Sequence, residues 1–416
     1  MYGILGYLQQ LTNLPERRLN MALPSDNDNG HVRYVTVHLT DECNLNCTYC
    51  FSRPYRFGKH MSADKARRFA TWFAAQAEDG VYAVTFFGGE PFLRSNLMPI
   101  IVNTLKEHSK PNTTFNFSAT SNGTLIRLKH IEMLRDHKIS VMVSTDGDQP
   151  THDRYRVYSN GRGSFSSFLK GVLILQQVQK RITARLTFTP GTVDRLVTNH
   201  EALLLKYGFW SVAASPVTEA SWDEASFDLY EQQLFELAGM LLEQWQLGRF
   251  IRLRILEKPI LELMLGEDKG AIRYPCGAGR TAAGIGADGK IYPCHRFVGM
   301  DEYVIGTIEA GIDSKARTAF WEPPVKTGTL CFRGGCTMCD LKSVCRGECY
   351  QVALEATGNI KEPPRSHYRL TQKSIYVAGC LLDYILEEEP RLLERILEIK
   401  SGSLMADWRE RIGVVC

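Results

Sequence analysis

The stretch that decides the fold is "VRYVTVHLTDECNLNCTYCF", residues 32–51, where a run of β-branched residues leads into three cysteines. Valine, threonine and tyrosine favour extended backbone, so residues 32–40 predict a β-strand. The cysteines that follow, Cys43, Cys47 and Cys50, have a C-x3-C-x2-C spacing. The regular structure therefore begins with a strand that delivers three thiols to one short loop.

Strand-like and helix-like segments alternate after this loop. A helix is predicted from the N-cap Ser62 towards Gly80, and further helical segments are expected over 95–108, 125–137, 164–180 and 197–208. About six β-α steps over residues 32–217 predict a parallel α/β architecture. Residues 223–267 are expected to be mainly helical, and from about 274 short turns rich in glycine and cysteine precede an amphipathic helical tail.

The composition argues against several classes of partner. Of 416 residues, 44% are hydrophobic and 23% are charged, and the net charge is only +3. This balance gives no basis for electrostatic capture by nucleic acid or by a membrane surface. No apolar run approaches the roughly 20 residues of a membrane helix, and the N-terminus lacks the basic head and cleavage site of a signal peptide. A cytoplasmic protein without nucleic-acid or membrane partners is expected.

The twelve cysteines fall into two groups, three at 43–50 and most of the rest between 276 and 380. In a reducing compartment, clustered cysteines more often bind metal or iron–sulfur than form disulfides. Three thiolates from one loop can hold three irons of a [4Fe–4S] cube and leave the fourth iron for a ligand outside the protein. Structural zinc is the alternative, but it needs four donors, and the nearest histidine, His60, lies ten residues past Cys50.

Four further stretches end predicted strands: "FFGGEPFL" (86–93), "TSNG" (120–123), "STDGDQPTHDRYR" (144–156) and "ARLTFTP" (184–190). Glycines permit close approach of a ligand, and free C=O groups can accept hydrogen bonds from an ammonium group. Taken singly, GGEP could be an ordinary turn and Arg156 a solvated surface charge. Four such stretches, in order along the chain, place candidate residues at the carboxyl ends of the strands, where the active sites of β/α barrels lie.

The cysteine loop and these stretches together resemble the radical S-adenosylmethionine (radical SAM) superfamily. The resemblance implies a partial (β/α)6 TIM-like barrel and a [4Fe–4S] cluster whose fourth iron is chelated by the amino and carboxylate groups of SAM. It implies that Cys43, Cys47 and Cys50 are the catalytic cluster ligands. It places the GGEP turn against the methionine amino group, Ser144 on the ribose or carboxylate, and Arg156 on the carboxylate. The cofactor-binding residues it implies are Tyr49, Gly88, Gly89, Glu90, Asn122, Ser144, Arg156 and, as a weaker candidate, Arg185.

The second cysteine group resembles the SPASM extension of radical SAM enzymes that modify peptides. The resemblance implies two auxiliary [4Fe–4S] clusters, the first held by Cys276, Cys294 and Cys349 and the second by Cys336, Cys339, Cys345 and a last residue. Cys380 is the favoured last ligand and His367 is the alternative. Cys331 is a possible fourth donor to the first cluster, which otherwise leaves an iron open to a substrate group, and Cys416 is expected to be a free thiol. A zinc-knotted domain is the alternative interpretation of the whole group.

The expected organisation is an N-terminal extension at 1–31 and the barrel at 32–220, followed by a helical bridge at 221–273. The SPASM domain is expected at 274–382 and a helical tail at 383–416. Only about 30 residues precede the first strand, too few for the leader-binding domain that many peptide maturases carry. A leader is therefore expected to bind elsewhere, through a separate protein, or not at all.

The resemblance implies that a 5′-deoxyadenosyl radical takes hydrogen from a carbon of a ribosomally made peptide, which then closes an intramolecular cross-link. A thioether is the favoured product, because sulfatase-maturing members carry an acidic residue directly after the cysteine that matches Cys294, where this chain has His295. For His295 itself, a structural role or support of a neighbouring ligand is the favoured interpretation, and no functional role is assigned to it. The alternatives are a carbon–carbon or carbon–oxygen cyclase, a sulfatase-maturing enzyme and a non-catalytic iron–sulfur redox sensor. Implied partners are the precursor peptide and an external electron donor such as ferredoxin or flavodoxin.

Overall fold

The computed structural model describes residues 31–265, 276–321, 341, 344–345 and 347–389. Within this part of the chain, all strands join one sheet in the order β11-β10-β9-β8-β1-β2-β3-β4-β5-β6-β7. The strands are β1 (Tyr34–Thr40), β2 (Gly80–Gly88), β3 (Thr113–Ser121), β4 (Ile139–Thr145), β5 (Thr183–Phe188), β6 (Ser211–Pro216), β7 (Arg252–Leu253), β8 (Ala282–Ile285), β9 (Lys290–Tyr292), β10 (Gly306–Thr307) and β11 (Gly311–Ile312).

The helices cover the outer face of the sheet or cap its ends. They are α1 (Ala63–Gln76), α2 (Leu97–Glu107), α3 (Ile131–Asp136), α4 (Gln149–Tyr155), α5 (Phe165–Leu175), α6 (Leu196–Glu201), α7 (Glu224–Gln246), α8 (Arg254–Leu265), α9 (Ser314–Trp321), α10 (Tyr350–Thr357) and α11 (Arg365–Glu388). None of these described helices has the length and apolar character needed to cross a membrane.

Strands β1 to β6 pair in parallel in the order of the sequence, with helices between them. This confirms the predicted α/β class. Parallel strands place their carboxyl ends at the same edge, so the loops after β1, β2, β3 and β4 meet there. The four quoted stretches and the cysteine loop all lie at this edge.

The two faces of the parallel strands differ in character. In β4 and β5 the residues that face the helices, such as Val143 and Ala184, are fully buried. The alternate residues, including Ser144 and Arg185, face the opposite side and are only half-buried. Because side chains alternate along a strand, one face packs the core and the other presents polar groups at the site.

Several predicted elements have different bounds. Ser62 does cap α1, and its hydroxyl accepts a hydrogen bond from the backbone N–H of Lys65 at 3.1 Å. The helix predicted over 125–137 is only α3, preceded by a 3-10 turn at Leu128–His130. Within the helical stretch 223–267 lies the short strand β7, which pairs with β6. Two-residue strands carry too little periodicity to be seen in a sequence.

The cysteine-rich region continues the same sheet. β8 pairs in parallel with β1 and antiparallel with β9. The expected units at 32–220 and 274–382 therefore share a sheet. The boundary expected between 382 and 383 falls inside α11, which continues to Glu388 because Leu381, Leu382 and Ile385 still bury their side chains.

Candidate active site at the carboxyl edge of the sheet

The three cysteines of the first loop lie directly after β1, and N–H groups donate to the sulfurs of Cys43 and Cys50. The backbone N–H of Leu45 donates to Cys43 Sγ at 3.4 Å, and Arg56 Nη2 donates to Cys50 Sγ at 3.5 Å. Burial raises the pKa of the Cys43 thiol to about 12, and the nearby Glu90 carboxylate adds to this effect. A thiolate there requires a compensating cation, and N–H bonds to sulfur are a feature of iron–sulfur ligation. The donor set therefore fits a cluster.

The GGEP turn after β2 packs directly on this loop. Gly89 N donates to Thr40 O at 2.9 Å and Glu90 N donates to Glu42 O at 2.8 Å. A Cβ on Gly88 would lie 2.0 Å from Thr40 O, and one on Gly89 would lie 2.1 Å from Glu42 O. Only glycine fits at both positions, so the two loops are held at backbone contact.

Glu90 joins the ends of β2 and β3. Its Oε1 accepts from Ser121 Oγ at 2.8 Å and from Phe92 N at 3.1 Å, and its Oε2 accepts from Asn122 N at 2.7 Å. Burial raises the pKa of Glu90 to about 7, although these hydrogen bonds act to lower it. The predicted contact of Glu90 with a cofactor remains a prediction, and its contacts in this structure are with the protein.

Asn122 connects the third strand to the cysteine loop. Its Nδ2 donates to Asn44 Oδ1 at 2.9 Å and lies 3.7 Å from Cys43 Sγ. Asn44 in turn donates to Thr124 Oγ1 at 2.8 Å. The polar residues between the cysteines therefore fix the loop to the end of β3.

A buried carboxylate, Asp146, joins Tyr49 to Arg156. The hydroxyl of Tyr49 donates to both oxygens of Asp146, at 2.6 and 2.7 Å, and Arg156 Nε donates to Oδ1 at 2.8 Å. The Arg156 guanidinium also lies 5.6 Å from the centre of the Tyr49 ring. Sequence reasoning selected Tyr49 and Arg156 but missed Asp146, although it is the D of the quoted S-T-D-G.

Ser144 and Arg185 are neighbours across β4 and β5. Arg185 Nη1 donates to Ala213 O at 3.1 Å and to Ser215 Oγ. Desolvation lowers the pKa of Arg185 to about 10, and Arg296 contributes to this shift. The structure thus brings the two predicted cofactor residues together on the half-buried face.

Aromatic rings from the cysteine loop, β2 and the cysteine-rich region meet beside the site. The His295 ring centre lies 5.0 Å from that of Phe87 and 6.0 Å from that of Phe51, both edge to face. His38 of β1 lies 5.3 Å from Phe87. Desolvation, with smaller effects of Arg296 and Arg185, lowers the pKa of His295 to about 3, so its imidazole is neutral.

The three cysteines predicted to hold the first auxiliary cluster, Cys276, Cys294 and Cys349, all lie in the part of the chain that the structure describes. Desolvation raises the pKa of the Cys294 thiol, and electrostatic interactions with Cys349 and Cys276 raise it further. Within the described residues, no three His, Cys, Asp or Glu side chains are arranged to share a single metal ion. Cys331, Cys336, Cys339 and Cys416 lie outside the described residues.

His367 lies beside Cys345. His367 Nε2 lies 3.5 Å from Cys345 Sγ, and its Nδ1 lies 3.1 Å from Glu348 Oε2. Cys380 is thirteen positions further along the same helix, about 20 Å away at 1.5 Å per residue. Cys380 as the last ligand of the second cluster, with His367 as the alternative, stays a prediction, since Cys336 and Cys339 lie outside the described residues.

Comparison with known proteins places this site in a family. The model of the Radical SAM superfamily matches residues 37–202. A cysteine-type anaerobic sulfatase-maturating enzyme from Clostridium novyi is 25% identical over 326 residues, covering 74% of this chain and 85% of that protein. A serine-type anaerobic sulfatase-maturating enzyme from Bacteroides thetaiotaomicron is 24% identical, covering 76% and 82%.

Two solved structures share the fold. The structure described as native anSMEcpe with bound AdoMet aligns with a TM-score of 0.68 at 18% identity, covering 85% of this chain and 100% of that one. SuiB from Streptococcus suis, bound to its precursor peptide SuiA, aligns with a TM-score of 0.55 at 17% identity, covering 81% and 76%. The α/β fold with its partial barrel is thereby confirmed.

The matched range 37–202 contains the cysteine loop, the GGEP turn, Asn122 and the Asp146–Arg156 pair. A domain of this family implies SAM and a [4Fe–4S] cluster as cofactors. The chain is an enzyme, and its residues 37–202 form a radical SAM domain.

Proposed function

We propose that this enzyme removes two hydrogens from a ribosomally made peptide and closes an intramolecular cross-link, with a thioether as the favoured bond. The observation that carries the proposal is the position of His295, which brings the residue after Cys294 against Phe51 and Phe87 beside the cysteine loop. A neutral imidazole stands there, and no acidic group of the described residues is paired with it. The relatives whose names specify a peptide or a protein to be matured support a substrate of this class.

SAM and its cluster, when bound, supply a carbon radical strong enough to take hydrogen from an unactivated C–H bond. The chain's own residues would hold and orient these groups. Cys43, Cys47 and Cys50 would present three thiolates to the cluster, and Gly88 and Gly89 leave room for close approach along the GGEP turn. The rings of Phe51 and Phe87 would exclude water from the reacting carbon.

The stoichiometry balances without a further oxidant. Formation of a thioether removes one hydrogen from the thiol and one from the attacked carbon. Cleavage of SAM to methionine and 5′-deoxyadenosine takes up the two electrons and one of the two protons, and the other proton is released. An external one-electron donor such as ferredoxin or flavodoxin would start each turnover.

We further propose that the cysteine-rich region holds two auxiliary clusters, for three in all. Cys276, Cys294 and Cys349 would hold the first. Cys336, Cys339 and Cys345 would hold the second, with His367 as its remaining ligand. A histidine that ligates metal characteristically gives its other N–H to a carboxylate, and Glu348 lies in that position.

The test is anaerobic reconstitution with SAM and dithionite, followed by incubation with a small cysteine-containing peptide encoded beside the gene. The proposal predicts a product that has lost the mass of two hydrogens for each link and has one fewer thiol open to alkylation. A product with the same mass loss and all its thiols intact would instead indicate a carbon–carbon or carbon–oxygen cyclase.

Sulfatase maturation is the second candidate, favoured by the names of the relatives that align over most of their length. The same assay with a peptide from a sulfatase active site separates the two. A cysteine converted to formylglycine exchanges sulfur for oxygen and loses two hydrogens, a change that no cross-link produces. The non-catalytic sensor is disfavoured, since the relatives named above are enzymes.

A further inference from the structure

Arg56 reaches back to the cysteine loop from the segment that follows it. Its Nη1 donates to Leu45 O at 2.8 Å, and its Nη2 donates to Cys50 Sγ at 3.5 Å. The backbone N–H of Leu45 in turn donates to Cys43 Sγ at 3.4 Å. One guanidinium group therefore contacts the sulfur of one predicted cluster ligand and fixes the residue that donates to the sulfur of another.

The backbone on both sides of Arg56 is anchored in the same region. The 3-10 turn before it begins at Arg53, whose backbone N–H donates to Cys50 O at 3.1 Å. Directly after it, Phe57 N donates to a carboxylate oxygen of Asp41 at 3.0 Å. Because the chain is held before and after Arg56, the fold itself brings the guanidinium to the loop.

The positive charge of Arg56 is not neutralised by a carboxylate. Arg156, which also lies at this site, pairs with Asp146 at 2.8 Å. Arg56 forms no ion pair with a carboxylate of the described residues, and its buried Nε has no partner among them either. A cation removed from water is costly unless an anion completes it. The Cys50 sulfur that Arg56 contacts becomes such an anion when it ligates a metal as a thiolate.

We propose that Arg56 is a positioning residue that raises the reduction potential of the cluster implied at this loop, acting through Cys50 and Leu45. The potential of an iron–sulfur cluster depends on its net charge and on hydrogen bonds to its sulfurs. One electron from the external donor adds one negative charge to the cluster and its thiolates. The guanidinium and its N–H bond stabilise this added charge, so reduction becomes easier. The inference rests on the cluster that the radical SAM domain implies and is independent of which peptide product forms.

The test is a redox titration of the reconstituted, full-length enzyme without peptide, followed by electron paramagnetic resonance. The signal to follow is the one that changes when SAM binds, which separates this cluster from any auxiliary cluster. Arg56→Gln removes the charge and shortens the side chain. We expect the ratio of reduced to oxidised cluster at a fixed potential to fall about tenfold, a midpoint shift of about 59 mV to lower potential for one electron.

Two further variants separate the contact with Cys50 from a general effect of charge. Arg56→Lys keeps the charge but loses the planar fork that spans two acceptors, so a smaller fall of about threefold is expected. Arg53→Gln is the matched control, because it removes the same charge from an exposed side chain that makes no hydrogen bond to a sulfur in the described part of the chain. It should leave the midpoint at the wild-type value, and iron content should be unchanged in all three variants.

Four results would overturn the inference. An unchanged midpoint in Arg56→Gln removes the effect. Equal shifts in Arg56→Gln and Arg53→Gln assign it to surface charge in general. Loss of cluster iron in Arg56→Gln with a wild-type midpoint in Arg56→Lys makes Arg56 a structural support of the loop only, whereas the same loss with a lowered midpoint in Arg56→Lys supports the inference. A wild type without a SAM-sensitive signal removes the cluster itself.

Discussion

Asp146 is the single residue on which the geometry of Tyr49 and Arg156 depends. Its side chain is fully buried and that of Arg156 is 8% exposed, so neither charge is screened by solvent. We predict that Asp146→Asn lowers the free energy of unfolding by about 3 kcal/mol, because it leaves a buried guanidinium without its carboxylate. Guanidinium chloride denaturation measures this.

Asp148→Asn is the matched control for that prediction. Its partner Arg195 is 41% exposed, and asparagine can still accept the capping bond from Thr151 N. A loss below about 1 kcal/mol is expected for such a half-exposed pair. Equal losses in the two variants would contradict the account of Asp146.

Gly89→Ala should separate the GGEP turn from the cysteine loop, since its Cβ would meet backbone oxygen of Glu42 at 2.1 Å. We predict loss of SAM cleavage and a changed electron paramagnetic resonance signal of the reduced cluster. Gly239→Ala, at a helix position where a Cβ meets nothing within 4 Å, should leave both unchanged. A normal signal and normal cleavage in Gly89→Ala would show that the close contact is dispensable.

At this scale the sequence identified residues that carry a local motif and missed those that act through long-range contacts. Spacing selected Cys43, and the family resemblance selected Tyr49 and Gly89. Tyr49 and Asp146 are separated by 97 residues, and only the pairing of parallel strands brings them together.

At the scale of elements, β8 connects the cysteine-rich region to the barrel. Gly284 of β8 pairs with Thr36 of β1, and a Cβ on it would lie 2.5 Å from Cys294 O. We predict that Gly284→Ala displaces the Cys294–His295 segment and lowers iron content while SAM cleavage persists. Iron analysis and 5′-deoxyadenosine assays on the same preparation measure both. Full iron content would contradict this role for β8.

Helix α11 decides between the two candidate ligands of the second auxiliary cluster. We predict that His367→Ala lowers the iron bound per chain and shifts the auxiliary-cluster spectrum, while Cys380→Ala, the matched control on the same helix, does not. Nitrogen hyperfine coupling should be present in the wild type and absent in His367→Ala. Iron loss in Cys380→Ala alone would restore the original preference.

The long amphipathic elements were predictable because their periodicity is strong over many residues, as in α1 and α2. The short elements could not be predicted in this way. β7 has two residues, and α6 runs into a π-helical turn at Ala202–Lys206 that the periodicity of a regular helix does not anticipate. The domain boundary expected between 382 and 383 lies inside α11, because the apolar stripe of this helix continues past the point where the cysteines stop.

At the scale of the whole molecule, one sheet runs from β11 to β7 and carries the cysteine loop near its middle. The order of β1 to β6 follows from alternating β-α steps, each of which places the next strand beside the last. The position of β8 beside β1 does not follow from these steps, because it depends on a contact between segments 248 residues apart that no local pattern encodes. The contact of His295 with Phe51 and Phe87, which joins the two regions, could therefore not be predicted from the sequence.

The central claim is that the loop of Cys43, Cys47 and Cys50 supports reductive cleavage of SAM. The most direct measurement is the yield of 5′-deoxyadenosine from SAM and dithionite after anaerobic reconstitution, for the wild type and for a variant with all three cysteines changed to alanine. The account predicts product from the wild type and none from the variant, with the auxiliary iron retained. Product at wild-type yield from the triple variant would contradict it.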